Sequence, residues 1–398
     1  MPSSRRATIA DVAAASGVGI GTVSRVINGA SNVREATRLS VLKVIDQLGY
    51  QPSHLATSLS RGTARTTAIV VPHLTRPSAV MRLAGALAVL DEQGYDTVVC
   101  NVGSAAQRDH HLAALTKRHR ADGVIVVSLR LSRQHLASFR RAAVPLVTVD
   151  VQAPGVPQTI TDDVAGGRLA TEHLLSLGHR RIGFVGDAAR RLSAANLGNV
   201  SSERRLSGYR QALAAAGIDY DPGLVRRGPF GPANAEALAA ELLALPDRPS
   251  AILAASDIQA MGVLAAADRC GITVPGRLSV IGFDDIESAA LVSLSTVRQP
   301  LEESGAEGAR RLCALLRGER VRPLRQELAL EVVRRSSTAS FRTAGSPTRS
   351  AARVSAVRQR TDLFANAACL RGGRGCLTRR PVSRREDALS GNWRWQEG

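Results

Sequence analysis

Thr8-Ile9-Ala10-Asp11-Val12-Ala13, followed by Gly17-Val18-Gly19-Ile20-Gly21-Thr22-Val23-Ser24-Arg25-Val26-Ile27-Asn28-Gly29, is the stretch that decides how this chain is read. Two short helical patterns flank a glycine turn. Thr8 can cap the first helix, with Asp11 three residues on as the reciprocal acid of a capping box. Ile9, Val12 and Ala13 then share one face at helical spacing. Val23, Val26 and Ile27 bury the second helix and leave Thr22, Ser24, Arg25 and Asn28 pointing outward. The pattern predicts a helix-turn-helix, a unit whose second helix enters the DNA major groove with its N-terminal residues against base edges. A third helix is expected over 34–48, with Val41, Ile45 and Leu48 on its buried stripe.

The chain continues through Val33-Arg34-Glu35-Ala36-Thr37-Arg38, Leu48-Gly49-Tyr50-Gln51-Pro52 and Leu55-Ala56-Thr57-Ser58-Leu59. Together with the opening motif, these segments resemble the lactose-repressor (LacI/GalR) family of bacterial regulators, whose pattern runs T-I-x-D-V-A, G-V-S, T-V-S-R-V-L-N-G, then L-G-Y-x-P and a hinge ending in S-L. The resemblance reaches about Arg335. It implies an N-terminal all-α helix-turn-helix DNA-binding head (1–50), a hinge (51–62) and an α/β core (63–338). That core is implied to be two Rossmann-like lobes like those of periplasmic sugar-binding proteins. Residues 339–398 are left as a basic tail, read from their Arg, Ala and Ser bias as disordered. Departures stand at the reading edge: Gly19 replaces the usual capping Ser, and Gly21 a residue that often contacts a base. Ser53 and Thr57 replace the common Asn and Arg of the hinge.

At 398 residues and 44% hydrophobic content, the chain can fill the cores of two or three domains. The net charge of +18 is concentrated at the ends. Residues 1–62 hold seven Lys or Arg against three acids, and 341–398 hold twelve Arg against four. A basic head suits a partner made of phosphates. Cys100, Cys270, Cys313, Cys369 and Cys376 are odd in number and lack C-x-x-C spacing, so they read as reduced thiols rather than a zinc site or disulfide framework. No run of 18 apolar residues exists, and Asp11 interrupts the only export-like segment behind Arg5-Arg6. The expected location is the cytoplasm, with no membrane partner.

From Thr67 strand and helix patterns alternate, the signature of parallel sheets covered on both faces. Strands are expected at 67–71, 97–100, 123–127, 145–149, 181–185, 251–254 and 278–283. Helices are expected near 80–93, 107–119, 133–143, 165–177, 203–216, 233–244, 257–270 and 301–316. The family arrangement implies that 63–150 with about 295–322 form one lobe, and 161–288 with about 324–338 the other.

Arg25 is the foremost candidate for direct readout, since a guanidinium can bond guanine O6 and N7 bidentately. A phosphate contact is its plainer role, because most protein–DNA bonds go to the backbone. Ile20 offers apolar contact only. The resemblance extends the DNA-contacting set to Thr8, Ile20, Gly21, Thr22, Ser24, Arg25, Asn28, Asn32, His54, Leu55, Thr57 and Leu59. Leu59 aligns with a family leucine that wedges between central base pairs from the minor groove, a side-chain type that kinks DNA. Gly17-x-Gly19-x-Gly21 follows a helix rather than a strand, so it fails the context of a dinucleotide-binding turn. His110-His111 reads as a solvated helix face.

Three further groups stand where the family lines a small-molecule cleft. Asp150 closes Val147-Thr148-Val149, Arg205 precedes Leu206-Ser207-Gly208-Tyr209, and Asp284 follows Val280-Ile281-Gly282-Phe283. Strand C-terminal ends are where open α/β sheets bind ligands. Carboxylates accept from sugar hydroxyls and a guanidinium donates to them, so a polyol suits these residue types. The plainer alternatives are a strand terminator at Asp150, a partner of Glu203 or another acid at Arg205, and a helix cap at Asp284. Phe230, Ser256 and Gln299 are secondary contacts by alignment. Ser78 replaces a frequent aromatic, which leaves Phe230 as the stacking residue and favours a small sugar or sugar phosphate over a nucleobase.

The expected protein is thus a homodimeric repressor on a pseudo-palindromic double-stranded DNA operator, controlled by a sugar effector and needing no cofactor. A family member answering to a nucleoside or nucleobase, or needing a co-repressor, is the alternative. A solute-binding transport protein would need a signal peptide and no DNA head. A Rossmann-type enzyme would need a phosphate loop after Thr67–Val71, where Pro72-His73-Leu74-Thr75-Arg76-Pro77 stands instead.

Overall fold

The structure, a computed structural model, describes residues 7–27, 30, 32–50, 65–117, 120–188 and 201–341. The N-terminal unit holds α1 (Ile9–Ser16), α2 (Ile20–Ile27) and α3 (Glu35–Gln47). Thr8 and Asp11 form the expected capping box: the Thr8 N–H donates to Asp11 Oδ2 at 2.7 Å, and Thr8 Oγ1 accepts from the Asp11 N–H at 3.3 Å. Gly17 ends α1 at φ +68°, a left-handed conformation that costs a glycine little. Val12, Val23 and Val41, one from each helix, are fully buried together with Ala13 and Val26. Leu48 does not join them. It lies past the last turn of α3 as its C-cap and is 41% exposed.

The remaining described chain builds two six-stranded sheets. The first contains β1 (Thr66–Pro72), β2 (Asp96–Val102), β3 (Gly123–Val127), β4 (Leu146–Val149), β5 (Gln158–Thr161) and β11 (Arg325–Leu328). Its order is β11-β5-β4-β3-β1-β2, and every pairing is parallel. Helices α4 (Pro77–Glu92) and α12 (Leu301–Leu316) cover one face, α5 (Ala105–Leu115) and α6 (Arg133–Ala142) the other. Strand alternation explains the two cores: Ile69 and Val71 face α4, while Ala68 and Val70 face α5.

The second sheet contains β6 (Ile182–Asp187), β7 (Val225–Gly228), β8 (Ala251–Ala254), β9 (Ser279–Asp284), β10 (Ser295–Arg298) and β12 (Glu331–Val333), in the order β12-β10-β9-β8-β6-β7. Only β12 runs antiparallel to its neighbour. Helices α7 (Asp163–Ser176) and α8 (Ser201–Ala215) pack on one face, α9 (Pro232–Leu243) and α10 (Asp257–Arg269) on the other; α11 (Glu287–Leu291) follows β9.

The seven expected strands and eight expected helices of this region are present within a few residues. Five short strands (β5, β7, β10, β11 and β12) and α11 carry no pattern long enough to signal them. The implied lobe boundaries need correction. Residues 295–298 belong to the second sheet, because β10 pairs with β9. Residues 325–328 belong to the first, because β11 pairs with β5. The chain therefore passes between the lobes after Thr161, after Arg298 and after Leu328. The body also extends beyond residue 338. The Val280 N–H donates to the Ser337 carbonyl and the Phe341 N–H to the Leu177 carbonyl, while His179 Nε2 lies 3.0 Å from the Ala339 carbonyl oxygen.

Both lobes have helix pairs in backbone contact, α4–α12 in the first and α7–α8 and α9–α10 in the second. A Cβ at Gly305 of α12 would strike the Arg82 carbonyl of α4, and one at Gly85 the backbone of Glu302. In the second lobe a Cβ at Gly167 would strike the Arg205 carbonyl, and one at Gly208 that of Val164. Gly305→Ala and Gly167→Ala should each lower unfolding free energy by about 1–3 kcal/mol or more through overpacking. Gly21→Ala, whose Cβ meets nothing within 4 Å, should leave it unchanged or raise it by up to about 1 kcal/mol. Urea unfolding curves check both; equal stability of all three variants would contradict the packing.

Candidate functional site

The C-terminal ends of both sheets line one cleft, as the strand-end rule for open α/β sheets anticipates. Asp150 follows β4, Ser128 follows β3, Asp187 and Asp284 end β6 and β9, and Gln299 follows β10. Asp150, Arg205, Phe230, Ser256, Asp284 and Gln299 all line it, together with Arg76, Arg82 and Gln259. Four non-glycine residues at these strand ends hold positive φ: Ser128 (+48°), Asp150 (+60°), Asp284 (+117°) and Asp285 (+59°). Such conformations cost on the order of 1–3 kcal/mol each and persist where surrounding bonds hold them.

Those bonds form one connected network. Asp150 Oδ2 accepts from Ser128 Oγ at 2.8 Å and pairs with Arg82 Nη2 at 3.1 Å. Arg82 Nη2 also donates to Gln299 Oε1 at 3.2 Å, and Thr161 Oγ1 donates to the same oxygen at 3.0 Å. Gln299 Nε2 donates to Asp284 Oδ1 at 2.6 Å. That oxygen lies 3.6 Å from Arg205 Nη1, whose Nε donates to Asp163 Oδ1 at 2.8 Å. The Arg205 guanidinium also lies over the Phe283 ring, 3.7 Å from its centroid. Gln299 thus joins a guanidinium–carboxylate pair of one lobe to a pair of the other. At the mouth, Arg76 of the first lobe covers the Phe230 ring at 3.9 Å and approaches Asp187 at 4.0 Å. The enclosed space is about 70 Å³, against roughly 300–1,000 Å³ for pockets that hold a drug-sized ligand. These side chains fill most of the cleft.

The six residues expected at the cleft are therefore brought together, with different immediate partners. Arg205 binds Asp163 and Asp284, not Glu203, which pairs with Arg227 instead. Asp284 is no helix cap; Ile286 holds that position for α11. Ser256 is one, accepting from the Gln259 N–H at 3.3 Å at the start of α10. Phe230 has one ring face already under Arg76. Sequence reasoning missed Arg82, Asp163 and Asp257. A single arginine inside the apolar run Ala79-Val80-Met81-Arg82-Leu83-Ala84 was the available signal for the first; the other two read as ordinary helix-start acids.

On the head, Thr8, Ile20, Gly21, Arg25 and Asn32 are exposed, and Thr22 and Ser24 half-buried. Arg25 Nε donates to the Gly21 carbonyl at 3.1 Å along its own helix. Asn28, His54, Leu55, Thr57 and Leu59 lie outside the described residues, as do the hinge over 51–62 and the tail from 342. Among the described residues no group of three or more His, Cys, Asp or Glu is arranged to hold a metal, and no helix is long and apolar enough to cross a membrane.

Asp257 lies behind the cleft and is fully buried. Its carboxylate accepts from Thr296 Oγ1 at 2.6 Å and from the Ile286 N–H at 3.0 Å. Burial, reinforced by the negative charge of Asp284, pushes its pKa up to about 8. The folded state then binds a proton that the unfolded chain has released above pH 4, so stability falls as pH rises from about 4 to about 8. Asp257→Asn should remove this component. The melting temperature of the variant, relative to the unsubstituted chain, should rise progressively from pH 5 to pH 9; parallel curves would show that Asp257 does not titrate there.

Residues 8–53 match the model of bacterial regulatory proteins of the lacI family, and 171–338 a periplasmic binding protein-like domain. The transcriptional regulator DegA of Bacillus subtilis is 33% identical over 348 residues, covering 85% of this chain and all of the relative. CelR of Thermobifida fusca is 34% identical over the same length, with the same shares of each chain covered. Among solved structures, a CelR–cellobiose complex matches 83% of this chain and all of its own at 34% identity and a TM-score of 0.60. The Lac repressor dimer bound to operator and the anti-inducer ONPF matches 84% of this chain and all of its own at 27% and 0.72. The helical head, the two α/β lobes and these relatives agree: the chain belongs to the LacI family of bacterial transcriptional regulators.

Proposed function

We propose that this regulator is a cytoplasmic repressor that binds an operator as a homodimer and is released from it, or held to it, by a sugar seated between its two lobes. The observation that carries the sugar reading is the convergence of Asp150, Gln299, Asp284 and Arg205 on one cleft through hydrogen bonds. A polyol supplies donors to the carboxylates and acceptors to the guanidiniums. Leaving either kind unpaired when buried would cost about 1–3 kcal/mol. The cellobiose bound by the relative CelR supports the same class.

In this reading residues 1–50 contact DNA, 51–62 form the hinge and 63–338 carry the effector and dimer functions. Arg25, exposed on α2, reads a base while Thr22 and Ser24 hold the helix to the backbone. A two-fold dimer presents two such helices to a pseudo-palindromic site. Because Thr161 and Gln299 belong to the segments that cross between lobes, an occupant of the cleft alters the relation of the lobes. Sugar and operator must then affect each other's affinity by the same factor.

DNA selected from a random pool by the full-length protein, with a panel of sugars scored by thermal shift, tests this reading. Arg25→Ala should weaken binding to the selected DNA by about 1–3 kcal/mol and relax one base position per half-site; uniform weakening on every sequence would leave Arg25 a phosphate contact. Arg205→Ala should abolish the sugar's effect on DNA binding while sugar-free binding survives. An undiminished response in that variant would remove the cleft from the mechanism.

A further inference from the structure

We infer that Arg82 is an effector-binding residue and that the cleft it completes selects uncharged polyols against their acidic or phosphorylated forms. This deepens the sugar reading of the cleft and rests on it. Arg82 projects from α4, whose other inward residues are Ala79, Leu83, Ala86 and Leu90. It is only 5% exposed. A buried guanidinium on an otherwise apolar helix face is costly unless partnered, so its presence calls for a polar role. Packing does not supply that role. The closest approach of α4 to α12 is made by glycine and backbone and the apolar contacts by Leu83, Ala86, Ala309 and Leu312, while the Arg82 side chain lines the cleft.

The bonds of Arg82 are incomplete. Nη2 reaches Asp150 and Gln299, and Nη1 donates to the Ser78 carbonyl at 3.3 Å. Its Nε–H, although buried, finds no acceptor among the described residues. A buried donor left over beside a cleft is the feature that a ligand oxygen satisfies. The small Ser78, one turn before Arg82, leaves the guanidinium beside the cleft rather than under a ring.

Charge decides the class of ligand. Each lobe offers one guanidinium with carboxylate partners: Arg82 with Asp150, and Arg205 with both Asp163 and Asp284. Arg76 stands against Asp187 at the mouth. The cleft lining holds three arginines and three aspartates, and Asp163 adds a fourth carboxylate behind Arg205, so the site already carries its full share of negative charge. Vicinal hydroxyls fit such a pair, donating to the carboxylate while their oxygens accept from the fork of the guanidinium. A carboxylate or phosphate would bring uncompensated charge against Asp150, Asp187 and Asp284 in a buried setting, where like charges repel strongly.

The experiment uses the full-length protein and titration calorimetry. Neutral pentoses, hexoses and disaccharides, including D-ribose, D-glucose and cellobiose, are compared with D-ribose 5-phosphate, D-gluconate and D-glucose 6-phosphate. The expected result is a neutral binder whose charged counterpart binds at least 10-fold more weakly. Arg82→Lys, which keeps a cation beside Asp150 but loses the fork, should weaken the neutral sugar about 10-fold, and Arg82→Met by 50-fold or more. Both variants should bind selected DNA normally without sugar, which certifies their fold; should Arg82→Met fail that check, Arg82→Lys carries the test. Tighter binding of a charged probe, or unchanged sugar affinity in a folded Arg82 variant, overturns the inference while leaving the cleft as the sugar site. Binding of neither set overturns the sugar reading itself, and this inference with it.

Discussion

A charge taken out of water must find its opposite, and the two lobes of this protein meet around that requirement. Asp150, Arg82, Gln299, Asp284, Arg205 and Asp163 form one chain of hydrogen bonds and ion pairs in which the buried charges have partners. Removing one member of a buried pair costs about 3–5 kcal/mol, because it strands the other. Such a network is a poor source of stability compared with apolar packing of the same volume. What it provides is a set of donors and acceptors held at defined positions.

The network is held from behind by backbone. Gly305 lets α12 lie against the carbonyl of Arg82, and Gly167 lets α7 lie against the carbonyl of Arg205. The same device appears in both lobes at the residue that carries the guanidinium. It fixes where each side chain starts, so the cleft side chains can be few. The strand ends complete the frame: Asp150 and Asp284 sit at positive φ, and the bonds to Ser128, Arg82 and Gln299 hold them there. Behind them, burial and the charge of Asp284 raise the Asp257 pKa to about 8, so the second lobe carries a proton-dependent element close to the site.

Much of the architecture was legible in advance because its signals are local. The Thr8–Asp11 capping box, the Gly17 turn and the Val12, Val23 and Val26 spacing each need only a few adjacent residues, and each appears as expected. The long apolar strands and the helices between them follow from periodicity alone. Asp150, Arg205 and Asp284 were found because they match positions of the family's cleft motifs. Gln158–Thr161, Ser295–Arg298 and Arg325–Leu328 were missed because each is four residues long and partly polar. A strand of that kind exists only because a neighbour supplies hydrogen bonds, and its sequence carries no record of which neighbour.

The sequence by itself determined the helical head and the alternation of strand and helix, since these depend on periodicity and on spacing within one segment; the cleft residues it offered came through the family resemblance. Tertiary structure alone decided that residues 295–298 join the second sheet and 325–328 the first. It likewise decided that Arg82 joins Asp150 and Gln299, 68 and 217 residues away. The physical reason is the same in each case. Strand pairing and buried-charge pairing act between segments distant along the chain, and their partners are chosen by the packed arrangement rather than by any local pattern.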